Sequence, residues 1–171
     1  GPAFEPLSVC SDPTVTSKSD LRAEAGGGDH ADLVASLGSA ASTDPAEVAS
    51  RIAGRTGRMV VFVTHASLHV VADALRSAGE SAEVLLIDEA HKTTGPDSAK
   101  PTKSGRPPLG PLVLTLFPAR RKVFFTATPR IYSGHADPDR TFIACMVDGG
   151  PYGRVVFSYR FAHAVDDGWL V

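Results

Sequence analysis

Cysteine is close to absent from this sequence of 171 residues: Cys10 and Cys145 are its two examples, and neither falls in a C-x-x-C pair or a His/Cys cluster. That excludes a disulfide framework and leaves a structural zinc site without ligands. His30, His65, His135 and His163 are scattered along the sequence and support no metal site either. An excess of one charge is missing too, since 17 Lys and Arg stand against 19 Asp and Glu for a net charge of −2. A histone-like basic binder is thereby excluded, while a local phosphate-contacting surface is not. No stretch approaches the about 18 uncharged apolar residues that a membrane helix needs. No basic segment leads into an apolar one at the N-terminus, as a secretory leader would. Internal repeats are absent as well. With 43% hydrophobic and 21% charged residues, the expectation is one cytoplasmic domain, mixed or α/β, large enough to bury a core.

The apolar residues come in short blocks separated by turn residues. Pro6–Ser11 reads as a short strand stopped by Asp12-Pro13, and the polar residues 16–30 read as a loop. Thr43-Asp44-Pro45 followed by Glu47 is a helix start, and that helix should run to about Gly54 with Val48, Ala49 and Ile52 inward. Met59–Thr64, Val84–Ile87 and Lys122–Thr126 are continuous apolar runs, each predicting a strand buried on both faces, and Val155–Tyr159 predicts a fourth strand. Ser67 is placed to cap a helix in which Leu68, Val71, Ala72 and Leu75 recur at helical spacing until Gly79 stops it. Residues 92–108, with four basic residues and one acid among prolines and glycines, form an exposed loop, and Leu109–Phe117 a helix. Arg120-Arg121-Lys122 reads as a solvated edge, and the two cysteines as buried small apolar residues. Strands alternating with helices predict an α/β fold whose mainly parallel sheet is flanked by helices.

Strand Val84–Ile87 runs into Asp88-Glu89-Ala90-His91. Two adjacent carboxylates at the C-terminal end of a parallel strand sit where α/β sheets place their ligands. Hydrolysis of a nucleoside triphosphate asks for such a pair: one carboxylate holds the Mg²⁺ that bridges the phosphates, and the other positions or deprotonates the attacking water. The plainer reading is that the pair caps the next helix. Lys122–Thr126 in turn leads into Thr126-Ala127-Thr128-Pro129, placing two hydroxyls at the end of another strand. Each of these four-residue words arises by chance in about one chain of this length in a thousand, so their joint occurrence in this order is informative.

VLLIDEAHKTTG followed by KVFFTATPRIY resembles motifs II and III of the superfamily 2 helicases and translocases. The nearest likeness is to the DEAH-type motor of type I restriction enzymes and related bacterial DNA helicases. VVFVTHASL at 60–68 is similar to motif Ib, which faces the nucleic-acid backbone, and SVCSDPTV and TDPAEVASRI are similar to segments between motifs Ia and Ib. Residues 151–171 resemble the end of the first motor lobe. The resemblance implies a RecA-like (P-loop NTPase) lobe that uses ATP and Mg²⁺, with Asp88 holding the ion through water and Glu89 acting on the hydrolytic water. It implies that His91 couples the nucleotide site to a partner lobe, and that Thr126 and Thr128 relay nucleotide state towards nucleic acid. Thr64 and Ser67 would offer hydroxyl or backbone contacts to phosphates, with a plain helix cap the alternative for Ser67. Arg130 would either touch DNA or pair with a surface acid. The basic loop at 92–108 has the same two readings, DNA contact or solvated surface.

One part of the resemblance is missing. The motor needs a loop G-x-x-x-x-G-K-[ST] before motif II to cradle the β and γ phosphates. Gly105–Gly110 has the glycine spacing, but Pro111-Leu112 follow it and it lies after motif II. The expectation is therefore that residues 1–171 are a partial first motor lobe, incomplete on its N-terminal side, with an open sheet edge or self-association and no useful ATP turnover by itself. Its parent would be an ATP-dependent helicase or translocase acting on DNA, with RNA the alternative. The implied partners are a second lobe of the parent chain and nuclease or modification subunits, with no membrane involved. The rival expectation is a motor-derived module that binds nucleic acid or protein without turnover.

Overall fold

The computed structural model describes residues 4–10, 42–94, 105–131 and 145–170. The expected loop at 16–30, residues 95–104 of the expected loop at 92–108, His30 and His135 lie outside the described residues. Strand β1 (Phe4–Val9) pairs in parallel with β2 (Arg58–Val63), with Leu7 beside Val61 and Val9 beside Val63. Parallel partners need a crossover, and helix α1 (Pro45–Ala53) lies in this one. It begins as the sequence predicts: Asp44 caps the amide of Ala46 at 3.0 Å, Pro45 opens the first turn, and Val48 and Ile52 are buried.

After β2 a short 3₁₀ turn (His65–Ser67) leads into α2 (Leu68–Ser77), whose Leu68, Val71, Ala72 and Leu75 are buried. The helix closes in a Schellman arrangement: the amide of Glu80 reaches the carbonyl of Leu75 at 2.9 Å, and that of Gly79 the carbonyl of Arg76 at 3.0 Å. Gly79 sits at φ +67°, and a Cβ added there would meet no atom within 4 Å. Gly79→Ala should therefore cost about 1 kcal/mol through backbone strain alone, read as a lower urea midpoint at unchanged m-value. A loss near zero would mean that the helix ends differently in solution.

Strand β3 (Ala82–Ile87) pairs in parallel with β4 (Ala119–Phe124), with Leu85 beside Lys122 and Ile87 beside Phe124. Their crossover holds a 3₁₀ turn (Ala90–Thr93) and helix α3 (Leu109–Pro111), which widens into a π-helical turn over Leu112–Leu116. The amide of Phe117 reaches back five residues to Leu112 at 2.7 Å. Leu7, Val9, Val48, Leu68, Ile87, Leu112 and Val113 belong to one core shared by both strand pairs and the helices. A short helix α4 (Phe161–Asp166) follows near the C-terminus.

Four expectations are corrected. The apolar runs do not make strands buried on both faces: in β3, Leu85 and Ile87 turn inward while Val84 and Leu86 are exposed, and in β2 Phe62 is exposed. Among the described residues, helices cover one face of the strands, and a continuous apolar run cannot by itself say whether its second face is covered. Val155–Tyr159 is not a strand: its backbone finds no neighbouring strand among the described residues, and Val156 and Phe157 are exposed. Strand propensity without a pairing partner does not make a sheet. Lys122 is not part of a solvated edge, because its ammonium turns in to the carbonyl of Leu114 at 3.0 Å, and burial pulls its pKa below the usual lysine range. The cysteines are half-buried rather than buried, and neither is in a disulfide.

Candidate functional site

The end of β3 and the end of β4 are sewn together by their backbones. The amide of Phe125 donates to the carbonyl of Ile87 at 2.8 Å, and the amide of Ala90 donates to the carbonyl of Phe125 at 2.8 Å. Asp88 and Glu89 thus form a tight turn at the carboxyl end of a parallel strand pair. Asp88 Oδ1 accepts the amide of Glu89 at 2.8 Å. Glu89 lies at φ +50°, the one non-glycine residue with positive φ among the described residues. That conformation costs a residue with a Cβ about 1 kcal/mol. Neither carboxylate caps the 3₁₀ turn that follows, so the capping reading of the pair does not describe this geometry.

The turn delivers its side chains towards Thr126-Ala127-Thr128. His91 Nδ1 lies 3.1 Å from Thr126 Oγ1, 3.3 Å from Thr128 Oγ1 and 3.1 Å from Glu89 Oε2. One ring nitrogen cannot serve all three at once. With a proton on Nδ1, His91 donates to the Glu89 carboxylate; with a bare Nδ1, it accepts from a threonine hydroxyl. The amide of Thr128 donates to Thr126 Oγ1 at 3.1 Å and fixes that hydroxyl's position. Residues 35 and 37 positions from His91 in sequence therefore meet at one imidazole edge.

Two residues that the sequence reading passed over complete the arrangement. Thr93, fully buried, donates its hydroxyl to the carbonyl of Ala90 at 2.7 Å and lies 2.8 Å from the hydroxyl of Tyr152. The Tyr152 ring meets that of Phe124 edge-on, with centroids 4.9 Å apart. Thr93 lies two residues beyond the DEAH word and was open to notice; nothing in the sequence signals that Tyr152, 59 positions away, reaches it.

Other expected site residues lie elsewhere. Thr64 is exposed after β2, its amide donating to the carbonyl of Val9 at 3.4 Å. Ser67 is corrected as a helix cap: its side chain forms no cap hydrogen bond, and the residue is 2% exposed. The 3₁₀ turn, closed by the Ser67 amide on the carbonyl of Thr64 at 3.0 Å, rolls that side chain into the core. Arg130 is exposed and makes no ion pair among the described residues, while its carbonyl accepts the amide of Met146 at 3.0 Å. Among the described residues no group of three His, Cys, Asp or Glu converges as a metal centre would require, and no helix is long and apolar enough to cross a membrane.

Fold and site together define an α/β segment built of parallel strand pairs, with a carboxylate-bearing turn and a threonine turn joined at their carboxyl ends. No protein-family pattern matches the chain, and no curated protein sequence matches it. Its fold is similar to that of a nuclease-deletion mutant of the Type ISP restriction-modification enzyme LlaGI in complex with a DNA substrate mimic. There the TM-score is 0.64 at 20% identity, over 97% of this chain and 12% of that one. It is also similar to the ATP-dependent Type ISP restriction-modification enzyme LlaBIII bound to DNA, with a TM-score of 0.52 at 20% identity, over 96% of this chain and 10% of that one. The chain thus shares the fold of a small part of these much longer enzymes.

Proposed function

We propose that this chain belongs to the first RecA-like motor lobe of an ATP-dependent helicase or translocase of the DEAH type, superfamily 2, acting on DNA. The observation that carries the reading is the meeting of Glu89, His91, Thr126 and Thr128 at one imidazole nitrogen. The two segments that resemble motifs II and III lie side by side at the ends of β3 and β4, which supports nucleotide chemistry at this point. The likeness in fold to restriction-modification enzymes, one of them ATP-dependent and both solved with DNA or a DNA mimic, supports the same reading.

The residues present fit Mg²⁺ held in company with ATP. Asp88 spends one oxygen on the Glu89 amide and is exposed, with no partner for its other oxygen among the described residues. A lone carboxylate of this kind suits an ion that takes most of its coordination from water and phosphates. When bound, the ion would neutralise charge on the phosphate oxygens. Asp88 would hold it, Glu89 would orient the attacking water and receive its proton, and His91 would carry the state of Glu89 to the threonines. The phosphate cradle would come from outside residues 1–171, because no G-x-x-x-x-G-K-[ST] occurs within them, and a second lobe would supply an arginine finger. Thr64 and Arg130 supply exposed contacts to the DNA backbone. Nuclease or modification functions would lie on other parts of the same assembly.

The test is Asp88→Ala in the full-length polypeptide that carries this chain. Nucleic-acid-stimulated ATP hydrolysis should fall at least about 100-fold, while DNA binding measured by anisotropy stays within about twofold. Turnover that survives would make Asp88 a structural residue and remove the basis of the reading.

A further inference from the structure

We propose that Tyr152 is a positioning residue for the Asp88–His91 turn, holding motif II against the strand that leads into motif III; this rests on the ATP-hydrolysis reading above. Thr93 has one hydroxyl proton and gives it to the carbonyl of Ala90 at 2.7 Å. At 2.8 Å from Tyr152, it must therefore accept from the phenol. The chain of donation runs from Tyr152 through Thr93 to Ala90, the residue between Glu89 and His91. The amide of Ala90 is meanwhile held by the carbonyl of Phe125. Both backbone groups at the centre of the DEAH word are thus fixed, one of them through Tyr152.

Tyr152 is itself held firmly. It sits in a tight turn closed by the amide of Gly153 on the carbonyl of Gly150 at 2.9 Å and by the amide of Gly149 on the carbonyl of Gly153 at 3.0 Å. Pro151 sets the turn, and Gly149 and Gly153 take φ values of +73° and +83°. The amide of Met146, on the carbonyl of Arg130, ties the approach to this turn to the end of motif III. The hydroxyl of Tyr152 then addresses motif II while its ring packs edge-on against Phe124, just before motif III. One side chain braces both motifs, and it does so without touching the reacting atoms.

The experiment is steady-state ATP hydrolysis by the full-length polypeptide with Tyr152→Phe, Thr93→Val, Thr93→Ser, the double variant Tyr152→Phe/Thr93→Val, and Glu89→Gln as the reference for the site. Tyr152→Phe keeps the ring contact and should lower kcat about tenfold through misplacement of the turn, with KM for ATP within about twofold. Thr93→Val should do the same, the double variant should be no worse than either single one, and Thr93→Ser should recover most of the rate. Wild-type kcat in Tyr152→Phe beside an inactive Glu89→Gln overturns this inference alone. So does a loss confined to thermal midpoint with kcat intact. Normal turnover in Glu89→Gln overturns the reading of the site and this inference with it.

Discussion

Glu89→Gln is expected to lower nucleic-acid-stimulated ATP hydrolysis by the full-length polypeptide about 100- to 10,000-fold, the range a positioned general base contributes. Glutamine has nearly the same shape and keeps an oxygen that can accept from His91, so the turn should keep its form. What it loses is the charge that receives a proton from water. Glu89 is exposed and forms no helix cap, so the substitution should leave the thermal midpoint within about 2 °C. A large kinetic loss at constant stability separates a chemical role from a structural one. If hydrolysis continues at the wild-type rate, the water is activated elsewhere and the assignment fails.

Leu7→Ala is expected to cost about 2–5 kcal/mol, the largest stability effect among the substitutions considered. Leu7 is 0% exposed and sits at the centre of β1, in the core that joins both strand pairs to the helices. The loss is a large fraction of the stability of an ordinary domain, about 5–15 kcal/mol, so the urea midpoint should fall markedly. Urea unfolding followed by circular dichroism measures it. A cost below about 1 kcal/mol would show that β1 is not docked in solution as described. Thr64 would be affected as well, because its amide is anchored on Val9 of the same strand.

The elements with strong local signals were legible in the sequence. Asp44-Pro45 fixed the start of α1, the spacing of Leu68, Val71, Ala72 and Leu75 fixed the inner face of α2, and Gly79 its end. The two chemical words were legible too, because strand ends are where α/β folds expose reactive side chains. Their meeting at His91 Nδ1 was not, since the register of β3 on β4 depends on pairing that local sequence does not encode. Ser67 misled for a related reason: a serine before a helix looks like a cap, and only the preceding 3₁₀ turn decides which way it faces. Val155–Tyr159 had the composition of a strand, and composition is silent about whether a neighbour is present to pair with it. Tyr152 was invisible because its partners lie on other elements.

The left-handed backbone at Glu89 sets durability against chemistry within a single residue. A glycine would occupy that conformation without steric penalty, and an asparagine with less than glutamate. A search for thermal robustness alone would thus drift away from a carboxylate at this position and discard the group on which the proposed hydrolysis depends. Efforts to harden this polypeptide by substitution should leave residue 89 untouched and seek their gains at positions remote from the turn.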